Sequence, residues 1–218
     1  MAKNNRSLWT QKIVEGAVAR KFPNGKGAVW TEESIKAKTS NWLQKKSVDK
    51  ERALTGSQLK GVVLGIDPSL RGTGLAAIES IGNGELRYIE SLTVINKPVL
   101  TMPQCLAKIF EETSAIIKRT RPTCIAIEQS VYVQNFRTAM ILGSARGAAI
   151  AAAAHAGLEV FEYPPLRIKQ AVIGYGRASK EQVALSVAQL VKGAGVLPND
   201  ESDASGAAIA HIFTHKIQ

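Results

Sequence analysis

Short apolar runs separated by turn-forming residues mark the part of the chain that begins at Gly61. The run "GVVLGID" (residues 61–67) is followed closely by "TGLAAIESI" (73–81), and the turn "GNG" then leads into "ELRYIESLTVI" (85–95). Apolar runs of this length bounded by turn residues are typical of β-strands, and a short turn containing Gly is typical of a hairpin. The pattern therefore predicts three strands in hairpin order.

Beyond Pro103 the apolar positions follow a helical period as far as Arg119, and strands and helices then alternate. Strands that are joined through helices are expected to run parallel, because a parallel pair needs a long crossover. The sequence thus predicts an α/β fold with a five-stranded mixed sheet flanked by helices. The later elements are predicted as strands at 123–128 and 158–163 and helices at 135–156, 165–172, 179–192 and 200–215.

Residues 1–60 are interpreted as a basic extension to a domain of residues 61–218. Two helices are predicted in it, at Leu8–Arg20 and Thr31–Lys46, with the turn "FPNGKG" between them. The extension holds 13 Lys and Arg against 5 Asp and Glu, which is +8 of the net charge of +10. A basic segment favours a polyanionic partner such as nucleic acid, although a solvated lysine-rich surface explains the composition as well.

Three tryptophans in the extension, Trp9, Trp30 and Trp42, argue against a loose tail, because large aromatic side chains are costly to leave in water. We therefore expect the extension to fold on itself or to pack on the domain. Its lysines would then form a fixed patch that contacts DNA phosphates, and a role as structural cover is the alternative. The lysines concerned include Lys36, Lys38, Lys45 and Lys46.

The composition also narrows the cellular location. No window of eighteen apolar residues without charge is present, so the sequence predicts no membrane span. The first residues lack the apolar core of a secretory signal. The two cysteines, Cys105 and Cys124, suggest neither a disulfide framework nor a zinc site. A cytoplasmic protein is expected.

Four acidic residues occupy positions where a metal site could form. Asp67 and Glu128 each end a predicted strand, and the carboxyl ends of adjacent parallel strands meet at one edge of a sheet, where ligands bind. Asp200 and Asp203 are spaced i and i+3, so they share one face of the last helix. Carboxylates without His or Cys suit Mg²⁺ or Mn²⁺, and two such ions can promote phosphodiester cleavage. Singly, each acid could be a loop charge, and Asp200 could be a helix cap.

Two other motifs, for dinucleotide binding and for zinc binding, are matched only in part. The segment "GTGLAA" (72–77) matches a dinucleotide fingerprint, but the residues after it predict a strand and not the helix that a pyrophosphate would need. His211 and His215 are spaced for one helix face, yet they lack the Glu of a zinc-binding H-E-x-x-H motif. Their place in a last helical turn is explained by the helix dipole.

Several motifs taken together resemble those of a known family. The segments "LGIDPSLRGTG", "AIEQ", "LGSARG", "FEYPPLRIKQAVIGYGRASKEQV" and "NDESDASGAAIAH" are similar, in order and spacing, to those of the RuvC family of Holliday junction resolvases. The resemblance covers nearly all of residues 61–218. It implies a ribonuclease H-like fold, a homodimer, Mg²⁺ dependence with about two ions per site, and paired incisions that resolve four-way DNA junctions in recombination and repair. A branch-migration helicase complex of the RuvA/RuvB kind is a further implied partner.

The resemblance also assigns roles to individual residues. The family's four catalytic, metal-binding carboxylates correspond to Asp67, Glu128, Asp200 and Asp203, and Mn²⁺ is expected to substitute for Mg²⁺. Basic residues near the cleaved backbone correspond to Lys169 and Lys180, where an ammonium could hold a phosphate. Both lysines could equally be ordinary solvated residues. Arg71, in the turn after the first strand, is also expected to contact DNA.

The sequence departs from the family pattern at three places. The aromatic residue that usually follows "EQ" and contacts bases is replaced by Val131, with Tyr132 one position later, so base stacking by Tyr132 is a hypothesis. Ser69 stands where the family often has Gly. Glu201 adds an acid between the two helical aspartates and, being adjacent to Asp200, should point away from it.

Two other classes of protein share some of these features. An ATPase of the actin and sugar-kinase type has a similar first phosphate loop, but it needs a second lobe for which the chain leaves no room. A junction-binding protein without nuclease activity would be expected to tolerate loss of a carboxylate, and all four are present.

Overall fold

The first compact unit of the chain, Met1–Arg52, contains a short β-hairpin. The structure is a computed structural model and describes residues 18–20, 28–30, 59–129, 135–174, 176 and 178–215. Strands β1 (Val18–Arg20) and β2 (Ala28–Trp30) pair antiparallel, with Val18 opposite Trp30. The helix predicted at Leu8–Arg20 is therefore wrong at its end. The rest of that helix and all of Thr31–Lys46 lie outside the described residues.

The reason for this difference can be seen in the sequence. Val18 is β-branched and fits an extended strand better than a helix. The segment between the two strands contains Asn24-Gly25, a dipeptide strongly associated with hairpin turns. The sequence pattern predicts the turn "FPNGKG" but places Val18 in a helix before it, so the paired strands were not predicted.

The second compact unit, Ala53–Gln218, contains a six-stranded mixed sheet in the order β7-β6-β3-β4-β5-β8. Strand β4 runs antiparallel to β3 and β5, whereas β6 and β7 continue parallel to β3. This arrangement directs the carboxyl ends of β3, β5, β6 and β7 toward one edge of the sheet. The strands are β3 (Gly61–Asp67), β4 (Gly72–Gly82), β5 (Glu85–Ile95), β6 (Cys124–Glu128), β7 (Val160–Tyr163) and β8 (Val191–Lys192).

The described helices of this unit begin and end at recognisable signals. Thr101 and Gln104 form a capping box at the start of the first helix, and Ser179 and Gln182 form another before the fourth. Gly174 ends the third helix with a φ of 90°, a conformation that glycine adopts without strain. The helices are α1 (Met102–Thr120), α2 (Phe136–His155), α3 (Pro165–Ile173), α4 (Lys180–Leu190) and α5 (Asn199–Thr214).

The two faces of the sheet are covered by different helices. Leu64 and Ile66 of β3 are fully buried in a cluster that includes Ile109 of α1 and Ala149 of α2. The intervening Gly65 faces α5 on the opposite side, since side chains alternate along a strand. Each fully buried Leu or Ile contributes about 1.5–3 kcal/mol, so this core holds the strand ends in place.

The sixth strand, β8, was not predicted. The sequence predicts a helix over 179–192 that would include Val191–Lys192, but α4 ends at Leu190 and Val191 pairs in parallel with Leu86 of β5. A strand of two residues carries too little pattern to identify from sequence. Its pairing supplies hydrogen-bond partners to the outer edge of β5, which would otherwise have none from the sheet on that side.

No helix in the described part of the chain is long and apolar enough to span a membrane.

Candidate active site

Asp67 and Glu128 lie at the carboxyl ends of two adjacent parallel strands. Ile66 of β3 is paired with Ile127 of β6, so the residue that follows each of them leaves the sheet at the same edge. Both carboxylates are half-buried. The side-by-side arrangement expected from the strand pattern is present in the structure.

The first turn of α5 brings two more acids to this edge. Pro198 occupies the N-cap position, and Asp200 lies inside the first turn, so Asp200 is not the cap that an ordinary helix start would require. Asp203 follows one turn later, and its side chain is 16 % exposed. Acidic residues at a helix N-terminus are stabilised by the helix dipole, which lowers the cost of placing them together.

Two glycines let α5 approach the sheet closely. A Cβ atom on Gly65 of β3 would lie 1.9 Å from the carbonyl oxygen of Ala204. A Cβ atom on Gly74 of β4 would lie 1.9 Å from the carbonyl oxygen of Asp200. Any other residue at either position would push the helix away, and Asp200 and Asp203 would move with it.

The proximity of these acids changes how Asp67 ionises. Burial, together with the negative charges of Glu128, Asp203 and Asp200, raises the pKa of Asp67 to about 7, although Lys180 opposes the shift. Burial, followed by the charge of Asp203, also raises the pKa of Glu128. The acids therefore repel one another, and a bound cation would relieve the repulsion.

Lys180, at the start of α4, forms an ion pair with one of these acids. Its ammonium donates a hydrogen bond to Asp203 Oδ2 at 2.8 Å, and this bond raises the pKa of Lys180. Its side chain is 62 % exposed, so it also reaches solvent. Lys169 of α3 donates to the carbonyl oxygen of Ala178 at 3.0 Å, and its positive charge lowers the pKa of Glu128. Both lysines thus lie beside the acids.

The acidic side chains at this sheet edge are chemically suited to bind a hard divalent cation. The side chains supply only carboxylate oxygens, which Mg²⁺ and Mn²⁺ prefer. Over the ranges that the structure describes, no three His, Cys, Asp or Glu side chains are close enough together to form a ready-made metal cage. The acids are near enough to shift one another's pKa but are not arranged at ligand distances, with Asp203 paired to Lys180.

Arg71 and Tyr132 are the two other residues that were predicted to contact DNA. The Nη1 atom of Arg71 donates to the carbonyl oxygens of Lys97 and Leu100, at 2.7 and 3.3 Å, and to Cys105 Sγ at 3.4 Å. Arg71 therefore anchors the β5–α1 loop, and a DNA contact by it stays a prediction. Tyr132 lies outside the described residues, as does its neighbour Val131.

One residue of the site was only partly anticipated. Glu201 points away from Asp200, as its position predicts, but its carboxylate accepts hydrogen bonds from Ser91 and Thr93 of β5. These residues lie more than a hundred positions earlier in the chain, so sequence alone could not pair them. Gly65 and Gly74 are part of "LGIDPSLRGTG", but their contact with the helix could not be predicted from that segment.

His211 of α5 and His215, which follows the helix, stack in a structural cluster. His211 is buried, with Tyr163 Oη 2.9 Å from its Nδ1 and Cys124 Sγ 3.3 Å from its Nε2. Burial and the nearby His215 lower the pKa of His211 to about 4, so it is neutral at physiological pH. The explanation by the helix dipole, which acts on a charged ring, is therefore wrong for His211.

The fold and the site together define a nuclease of the ribonuclease H-like class, with acids at the carboxyl edge of a mixed sheet and on a helix packed against it. A family model described as "Crossover junction endodeoxyribonuclease RuvC" matches residues 63–211. This chain belongs to the RuvC family, which consists of metal-dependent nucleases that act in DNA recombination and repair.

Individual relatives agree with this assignment. The crossover junction endodeoxyribonuclease RuvC of Rubrobacter xylanophilus is 38% identical over 165 residues, which cover 75% of this chain and 92% of that protein. The RuvC of Janthinobacterium is 46% identical over 149 residues, covering 68% of this chain and 82% of the relative. The similarity thus covers the domain and leaves out most of residues 1–60.

A solved structure of Thermus thermophilus RuvC in complex with a Holliday junction substrate is similar with a TM-score of 0.66 and 31% identity. The match covers 70% of this chain and 93% of that one. The expected ribonuclease H-like fold and the family resemblance are therefore confirmed.

Proposed function

We propose that this protein resolves four-way DNA junctions by metal-dependent phosphodiester cleavage, with Asp67, Glu128, Asp200 and Asp203 as its catalytic and metal-binding carboxylates. Membership of the RuvC family supports the reaction. The observation that carries the site assignment is the placement of the acids, since Asp67 and Glu128 leave adjacent parallel strands at one sheet edge and the first turn of α5 packs against that edge. Burial and these neighbouring charges raise the pKa of Asp67. Perturbed acids at such an edge are typical of functional sites.

The cation proposed for this site is Mg²⁺, with two ions per site and with Mn²⁺ able to substitute. When bound, such ions supply an activated water and stabilise the negative charge that develops on the phosphodiester oxygens. The four carboxylates would hold them. The protein's own contribution is to keep these acids at one sheet edge despite their repulsion.

Lys180 and Lys169 are proposed to hold the phosphate that is cleaved. Lys180 has an exposed ammonium beside Asp203, so it can meet a phosphate oxygen while remaining within the site. Lys169 is bound to a backbone carbonyl oxygen, which fixes its direction. A fixed ammonium near a phosphate stabilises negative charge without a further ordering cost. DNA contacts by Arg71 and Tyr132 are part of the same proposal.

A homodimer is proposed to form through one face of α2. Phe136 is 79% exposed and Met140 is 56% exposed, although both are large and apolar. Gly143 and Gly147 continue this face, and a Cβ atom on either would have no neighbour within 4 Å. A helix from a second copy could therefore pack closely, and a two-fold dimer would present two active sites to the two opposed strands of a junction.

The cellular location and a helicase partner are also proposed. The cytoplasm is the proposed location, in keeping with bacterial relatives such as the Rubrobacter protein. A branch-migration complex of the RuvA/RuvB kind is the proposed helicase partner, on the strength of the family alone.

The function is tested by comparing two DNA substrates. A synthetic four-way junction and a linear duplex of the same sequence are incubated with the full chain, in Mg²⁺ and in chelator. We expect Mg²⁺-dependent paired nicks in the junction only. Equal cleavage of both substrates would leave a nuclease but exclude a resolvase, and binding without cleavage would identify a non-catalytic junction-binding protein.

The dimer is tested by sedimentation of the free protein. We expect a dimer at about micromolar concentration, with association weakened by Gly147→Glu, which places a charge on the proposed interface. A stable monomer that still nicks both strands together would contradict this part of the proposal.

A further inference from the structure

Glu201 connects the helix of the active site to a strand that carries none of the four acids. Its Oε2 accepts a hydrogen bond from Ser91 Oγ at 2.5 Å, and its Oε1 accepts one from Thr93 Oγ1 at 3.1 Å. Both hydroxyls lie on β5, two positions apart, and therefore on the same face of the sheet. Tyr88 Oη lies 3.0 Å from Ser91 Oγ and extends the network along β5.

These hydrogen bonds hold α5 at its first turn. Thr93 is paired with Gly74 of β4, and Gly74 is the residue that lies directly against the backbone of Asp200. The first turn of α5 is thus fixed at two neighbouring points, by backbone contact on β4 and by the Glu201 carboxylate on β5. Successive residues of an α-helix are rotated by about 100°, so the direction of Glu201 determines the directions of Asp200 and Asp203.

We infer that Glu201 is a positioning residue that sets the rotation of α5 and so directs Asp200 and Asp203 toward Asp67. This inference rests on the proposed function, in which those aspartates bind metal. Glu201 acts through the helix and does not itself touch the ion. Both of its oxygens are engaged by β5, and the acids that raise the pKa of Asp67 are Glu128, Asp203 and Asp200, with Glu201 not among them.

The test compares three variants with the unmodified full chain. Glu201→Ala removes both hydrogen bonds, whereas Glu201→Gln keeps an oxygen that accepts and an amide that donates to the same hydroxyls. Glu79→Ala is the matched control, since Glu79 also links β4 to β5, through Arg87, but at the end of the hairpin away from the acids. Circular dichroism establishes that each variant is folded at the assay temperature.

Two measurements report on positioning. The first is Mn²⁺ affinity of the free protein by isothermal titration calorimetry, and the second is the Mg²⁺ concentration for half-maximal junction cleavage. We expect Glu201→Ala to weaken both by about 10–100-fold, the usual effect of removing a residue that orients metal ligands. Glu201→Gln should recover most of the loss, Glu79→Ala should change neither, and junction affinity in chelator should stay the same for all three.

Each outcome separates the inference from the function on which it rests. Unchanged metal dependence in Glu201→Ala, or an equal loss in Glu201→Gln, would overturn the positioning role. A loss of junction affinity that parallels the loss of metal affinity would indicate a general structural defect and would also overturn it. The proposed function fails separately if Asp200→Asn still binds Mn²⁺ and cleaves as the unmodified protein does.

Discussion

The substitution Asp67→Asn tests the convergence of the acids through stability as well as through activity. The pKa of Asp67 in the folded protein is about 7 against an ordinary value of 3.8, so the folded state holds a proton there that the unfolded state has released. The free energy of unfolding must therefore fall as pH rises between these two values, and the full penalty is present above about pH 7. Asparagine carries no charge and removes this penalty.

The size of the effect follows from the shift. A shift of about three pKa units corresponds to about 4 kcal/mol, at 1.36 kcal/mol per unit. Because the carboxylate of Asp67 is partly exposed, solvent screening reduces this figure, and we expect a gain of about 1–3 kcal/mol in Asp67→Asn. The gain should be fully present at about pH 8 and mostly lost near pH 4, because the folded carboxyl is protonated there and the unfolded one is close to its ordinary pKa of 3.8.

The assay is urea unfolding followed by circular dichroism, in chelator, at about pH 4 and about pH 8. Glu111→Gln serves as a control, because Glu111 is an exposed acid on α1, and its effect should stay within about 0.5 kcal/mol. If Asp67→Asn were no more stable than the unmodified protein at the higher pH, the carboxylate of Asp67 would not be buried beside other acids as described.

The same variant should have lost junction cleavage, since an oxygen proposed to bind metal is gone, while binding junctions as well as before or more tightly. Removal of a negative charge that faces phosphate favours binding. Substantial Mg²⁺-dependent cleavage by Asp67→Asn would contradict its catalytic role, whatever the stability measurement showed.

Three further outcomes are expected. Gly74→Ala should destabilise the fold by about 1–3 kcal/mol in urea unfolding, because its Cβ would meet the carbonyl oxygen of Asp200 at 1.9 Å. The control Gly206→Ala should lose less stability, because its Cβ would meet only side-chain carbons. Equal losses would contradict the close packing. Lys180→Ala should shift the pH profile of cleavage upward, since Lys180 lowers the pKa of Asp67; an unchanged profile would argue against it. A chain that starts at Gly61 should bind junctions more weakly. The slope of log K against log salt concentration should be shallower by about 0.9 for each phosphate contact that is lost. Unchanged affinity and slope would exclude an arm that binds DNA.

The sequence predicted those parts of the fold in which an apolar pattern ends at an acidic residue. The apolar runs that stop at Asp67 and Glu128 predicted both strands and the sheet edge at which they end, because a buried strand carries an acid only where it leaves the sheet. Asp200 and Asp203 were paired by helical spacing alone. These inferences needed only local information.

Features that depend on contacts between distant segments could not be predicted in this way. The partners of Glu201 lie on β5, and the side chain of Arg71 is held by the carbonyl oxygen of Lys97, 26 residues later. A basic residue in a turn near the acids suggested a DNA contact, whereas its Nη1 atom is occupied by backbone carbonyl oxygens. The two-residue strand β8 forms because β5 offers it an edge, and its own sequence does not require a strand.

Lys180 gives the site a counterion of its own. The ammonium pairs with Asp203 and lowers the pKa of both Asp67 and Glu128, so it offsets part of the repulsion that the sheet edge imposes. A divalent cation placed among the same carboxylates would supply more positive charge than one ammonium, and it would weaken the hold of Asp203 on Lys180. The ammonium would then be available to a phosphate oxygen at the moment that metal is bound. Metal binding and phosphate binding are therefore expected to favour each other, because both depend on the charge interactions of Lys180 with Asp203, Asp67 and Glu128.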